Sequence, residues 1–98
     1  MPVMVLVTYD VDTADDEGKR RLHRVAKACE RVGQRVQKSV FECLVDPSHM
    51  TELRHKLSRI IDPNRDSLRF YSLGDNWHRR VEHIGAKPSL DPEGVLIM

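Results

Sequence analysis

Val3-Met4-Val5-Leu6-Val7-Thr8-Tyr9 is a short β-branched run that is apolar on both of its alternating faces. A strand of this kind must be covered on both sides, by helices on one and by a further layer or a partner subunit on the other. The rest of the chain has to supply that cover within 98 residues. A chain of 11.3 kDa buries about two thirds of the surface that it exposes when unfolded. That supports one modest core and one domain. With one Trp, two Tyr and two Phe, the core is mainly aliphatic.

The same run is also the longest apolar stretch, and it falls far short of the roughly 20 residues that span a bilayer. The N-terminus shows no basic segment, long apolar segment or small-residue cleavage site. A cytoplasmic protein with no membrane partner is expected. Cys29 and Cys43 have no CxxC context and read as buried thiols, not as a zinc site or a disulfide framework.

The strand ends at Asp10, and Asp15, Asp16 and Glu17 then supply the acidic start of a helix. Leu22, Val25, Ala26, Cys29 and Val32 recur at three and four residues until Gly33, which defines its apolar face. Val36 to Val45 alternates as strand, with any break confined to Gln37-Lys38-Ser39. Asp46-Pro47 opens a second helix, with Met50, Leu53, Leu57, Ile60 and Ile61 on its apolar face. Asp62-Pro63-Asn64 turns the chain into a last strand, Ser67 to Leu73.

This order predicts an α+β, ferredoxin-like βαββαβ sandwich, an antiparallel sheet with two helices on one face. Residues 1–73 form the core domain and 74–98 a C-terminal extension. Its terminal strand, Val95-Leu96-Ile97-Met98, is too short to stand unpaired and is expected to pair at a dimer interface. The bare second face predicts a homodimer that buries sheet against sheet.

Net charge is only +1, but the charge is polarised along the chain. Residues 1–17 hold five acids and no Lys or Arg. Residues 19–38 hold eight cations against Glu30 alone. Arg20, Arg24, Lys27 and Arg31 fall on one stripe of the first helix, which Arg35 and Lys38 extend. Two readings are open: a solvated helix face, or a contact to phosphate backbone.

Asp10, directly after a rigid strand, reads either as a turn aspartate or as a metal-binding or catalytic group. One carboxylate holds Mg²⁺ weakly, and a two-fold axis would supply a second. Asp12, Asp15, Asp16 and Glu17 look more like helix-start acids. The five histidines show no HExxH, Ser39 lacks a GxSxG context, and no GxxxxGK[ST] or GxGxxG occurs. Zinc peptidases, serine hydrolases, P-loop enzymes and dinucleotide binders are therefore disfavoured.

Tyr9-Asp10-Val11 after the hydrophobic strand, the basic helix, and Gly33-Gln34-Arg35-Val36-Gln37-Lys38-Ser39-Val40-Phe41-Glu42-Cys43 together resemble the CRISPR-associated Cas-two family. The likeness extends through Ser67 to Leu73, and His83 to Pro88 look like the I-C subtype. The resemblance implies a ferredoxin-like homodimer that acts with the CRISPR integrase Cas-one in spacer acquisition. It also implies a Mg²⁺-dependent endonuclease of double-stranded DNA or single-stranded RNA, in which Mn²⁺ substitutes. Asp10 from both subunits would share one metal, as ligand and catalytic group. Tyr9, Arg35 and Phe41 match positions associated with nucleic acid, and Lys19, Arg20 and Arg21 occupy the basic helix start. Arg24, Lys27 and Arg31 complete the expected nucleic-acid-binding set. The alternative reading is a non-catalytic dimer that bridges the integrase and binds duplex DNA.

Overall fold

The computed structural model describes residues 2–86. It consists of β1 (Val3–Asp10), α1 (Asp16–Glu30), β2 (Gly33–Gln37), β3 (Val40–Val45), α2 (Pro47–Ile60), β4 (Ser67–Gly74) and a short 3₁₀ turn, Trp77–Arg79. The sheet runs β2-β3-β1-β4 with every neighbouring pair antiparallel. The expected βαββαβ order and ferredoxin-like sheet are what is found.

β1 lies inside the sheet, as its sequence demands. Val5, Val7 and Tyr9 point to the helical side, where they join Phe41, Cys43 and Val45 of β3 beneath Val25, Cys29, Leu53 and Leu57. Both cysteines are free and buried within that core. α1 starts where its sequence says it should: Asp15 is the N-cap and accepts from the Gly18 N–H. Gly18 is required there, because a Cβ at this position would meet the Asp12 carbonyl oxygen at 1.9 Å. Asp46 precedes α2 in the N-cap position, but its side chain makes no capping bond.

The opposite side is built from the alternate residues. Met4 packs on Trp77 there, with Leu44 and Leu73 around them. The face expected to be bare is thus partly covered by the chain's own 3₁₀ turn. Trp77 is apolar enough to bury against Met4 once β4 returns beside β1. Beyond that cover, Leu6 is half-buried and Tyr71, its cross-strand partner, is 43% exposed.

The break inside 36–45 falls at Lys38-Ser39. One stabilising bond comes from elsewhere in the fold, the Tyr9 N–H donating to the Ser39 carbonyl (3.1 Å), and one from within the hairpin, Arg35 Nη1 donating to the Lys38 carbonyl (2.7 Å). A hairpin held by β1 needs no strong local turn sequence, which is why none was visible. The terminal strand expected at Val95–Met98 lies outside the described residues.

Candidate active site

Asp10 closes β1 and is exposed, on the side of the sheet away from the helices. It sits directly opposite Ser67 of β4, and Thr8, on the same side, opposes Arg69. Arg69 Nη1 donates to the Tyr71 hydroxyl at 3.2 Å. A carboxylate and a guanidinium therefore share one sheet face at the same end. Arg69 carried no motif in the sequence, since only the β1–β4 register brings it opposite Thr8, on the Asp10 side of the sheet. Among the described residues no group of three His, Cys, Asp or Glu gathers to hold a metal. Asp10 is therefore not part of a multi-ligand cluster within one copy.

The end of β1 is braced by ion pairs that sequence reasoning missed. Arg21 Nε donates to Asp66 Oδ2 at 2.8 Å, and the Asp66 side chain has no solvent exposure. Asp66 also accepts from the backbone N–H groups of Asp12 (3.0 Å) and Asp62 (2.8 Å). Arg65 reaches Asp12 (3.2 Å) and Asp15 (3.0 Å). Burial opposes ionisation of Asp66, but the Arg21 guanidinium and the two N–H donors outweigh it and hold its carboxyl below the ordinary range. Asp12 and Asp15 are lowered too, chiefly by the backbone N–H groups of Ala14 and Gly18 and then by Arg65. Asp12 and Asp15 are thus more than helix-start acids: with Asp66 they tie the 11–15 and 61–66 loops together. No local signal marks a pair separated by 45 residues in sequence.

Arg21 is therefore committed to a carboxylate and is only 13% exposed at its side chain. The other expected nucleic-acid residues lie at two places on the helical side, except Arg20, which pairs with Glu17 and lines neither. Tyr9, Lys19 and Arg35 line a pocket of about 270 Å³ with Leu22, His23, Ala26, Lys38 and Ser39. Tyr9 is 5% exposed, its hydroxyl has no hydrogen-bond partner among the described residues, and burial raises its pKa. Phe41 is wholly buried beneath this pocket. Its ring lies 6.2 Å from that of Tyr9, and the Arg35 guanidinium stacks over it at 5.0 Å. Phe41 thus supports Arg35 from below without a surface of its own.

Arg24, Lys27 and Arg31 line a second hollow, between α1 and α2. The stripe was expected to have almost no acidic partners, yet Lys19 pairs with Asp16, Arg20 with Glu17 and Lys27 with Glu30, each three residues away. Helical i,i+3 geometry makes such pairs nearly automatic. All three are exposed and worth little in water, so they leave these cations available to a stronger anion. Asp10 does not join either hollow, because successive side chains of β1 leave opposite sides of the sheet.

A family model described as CRISPR associated protein Cas2 matches residues 1–81. The CRISPR-associated endoribonuclease Cas2 of Nitratidesulfovibrio vulgaris is 56% identical over 96 residues, covering 98% of this chain and 94% of the relative. The CRISPR-associated endonuclease Cas2 of Halalkalibacterium halodurans is 56% identical over 95 residues, covering 97% and 99%. The crystal structure of Streptococcus pyogenes Cas2 at pH 6.5 superposes with a TM-score of 0.73 at 57% identity, covering 84% of this chain and 99% of that one.

Proposed function

The chain belongs to the CRISPR-associated protein Cas2 family, and from that premise we propose that it is a Mg²⁺-dependent endonuclease of spacer acquisition. The observation that carries this reading is the exposed Asp10 at the end of a rigid inner strand, on the sheet face that the helices leave uncovered. Two copies packed through that face, around Leu6, Leu44 and Tyr71, would bring two Asp10 carboxylates toward a common axis.

An oxygen-only pair of carboxylates suits a hard cation that keeps waters and takes phosphate oxygens as further ligands. Asp10 from each subunit would hold Mg²⁺, or Mn²⁺ in its place, which when bound supplies an activated water and neutralises phosphate charge. Arg69, on the Asp10 side of the sheet, faces the same phosphodiester and offsets its charge. Lys19 and Arg35, on the helical side, would hold phosphates away from the cut, and Phe41 keeps the Arg35 guanidinium oriented. The substrate is nucleic acid, as duplex DNA or single-stranded RNA, in a cytoplasmic assembly with the integrase Cas-one.

The test is cleavage of labelled duplex DNA and single-stranded RNA with Mg²⁺ or EDTA, comparing wild type with Asp10→Ala after both are confirmed as dimers. Cutting that needs the metal and falls by at least about 100-fold in Asp10→Ala is the expected result. Cutting that is equal in both rejects the catalytic reading. The second reading, a non-catalytic dimer bridging the integrase on duplex DNA, is favoured by one observation: most of the basic residues face away from Asp10. It predicts intact assembly and DNA binding in Asp10→Ala.

A further inference from the structure

We infer that the hollow between α1 and α2 is a second phosphodiester-backbone site, separate from the Asp10 face and built as much by α2 as by α1. The inference rests on nucleic acid as the partner, but not on cleavage. The hollow has a volume of about 580 Å³. Its α1 bank is His23, Arg24, Lys27 and Arg31, and its α2 bank is His55, Lys56 and Arg59. Five cationic side chains line it, and no carboxylate does so among the described residues.

The α2 bank had no counterpart in the sequence reading, because its cations are too few to form a stripe by themselves. They become part of one site only when the helices pack side by side. Arg24 and Arg31 carry no ion pair among the described residues, and Lys27 gives up only an exposed contact at 3.7 Å to Glu30.

The ligand chemistry follows from the spacing and kind of the cations. Arg24, Lys27 and Arg31 span about 10 Å of helix at 1.5 Å per residue. A nucleic-acid strand presents one phosphate about every 3.4 Å of axis, so one cation meets roughly one phosphate along this length. The floor is Ala28 and Ile60, both buried. Arginine predominates, and its fork matches phosphate oxygens. His23 also borders the Tyr9 pocket, so a strand leaving the groove would meet Lys19 and Arg35 next.

The decisive variant is Lys56→Glu with Arg59→Glu, both exposed and on the bank that the Asp10 reading does not use. The control is Arg54→Glu with Arg79→Glu, which makes the same change in net charge outside the groove. Fluorescence anisotropy with labelled duplex DNA and, separately, single-stranded RNA is measured across a salt series. The groove variant should bind at least 10-fold more weakly and lose about two units of salt slope, while the control changes little. The neutral pair Lys56→Gln with Arg59→Gln should fall in the same direction with a smaller drop. Equal weakening by groove variant and control, or an unchanged slope in the groove variant, overturns the site. Competition by poly-glutamate as effective as by DNA also overturns it, in favour of an acidic protein partner. Wild type that binds through the groove but never cuts keeps this inference and rejects the nuclease; wild type that cuts with the groove variant binding normally does the reverse.

Discussion

The two faces of the sheet draw on alternate residues of the same strands, but one is sealed and the other unfinished. On the helical face Val5, Val7, Phe41 and Cys43 have no exposure at all. On the opposite face, among the described residues, only Met4 reaches that state, packed against Trp77. The sealed face can carry charge only on the outside of its helices, where the basic groove and pocket are found. The unfinished face keeps Asp10 and Arg69 open to a ligand or a second copy. The packed core and the exposed Asp10 thus lie on different sides of a four-stranded sheet, and substitutions should separate their effects.

The sharpest break comes from the sealed face. Phe41→Ala removes a fully buried ring from beneath both helices and should cost about 3–5 kcal/mol, read as a drop in the urea midpoint at unchanged slope. Next is Asp66→Ala, which strands Arg21 and two backbone N–H donors at the end of β1. Its cost should be about 3 kcal/mol by the same measurement.

Tyr71→Ala on the open face should cost a monomer less than about 1 kcal/mol, since the ring is 43% exposed. Sedimentation should nonetheless show self-association weakened. A monomer as destabilised as Phe41→Ala would erase the distinction between the faces. The smallest effect is the acid limb. Asp12, Asp15 and Asp66 have folded-state pKa values below their unfolded ones, so their contribution is full above about pH 5 and is lost as pH falls through the folded values. Thermal melts of wild type should fall below about pH 4, and Asp66→Asn should flatten part of that fall.

Much of this was legible in the chain itself. The both-sided apolar pattern of Val3 to Tyr9 required an inner strand, and the spacing of Leu22, Val25 and Cys29 required a helix with one covered side. Asp10 drew notice as a candidate because it ends that strand. Arg65, Asp66 and Arg69 were not found, since each matters through a partner about 50 or more residues away, or across a strand pairing that the sequence does not state. Trp77 looked like part of an extension and proved to be a lid on Met4.

The sequence by itself therefore determined the elements, their order and the sign of charge each carries, because periodicity and local spacing act over a few residues. Tertiary structure alone decided which cations share a hollow, that Arg21 is taken by Asp66, and that Tyr9 and Asp10, adjacent in sequence, serve opposite faces of the molecule. The reason is geometric: a strand sends neighbouring side chains to opposite sides, while packing brings together helices and loops that the chain keeps far apart.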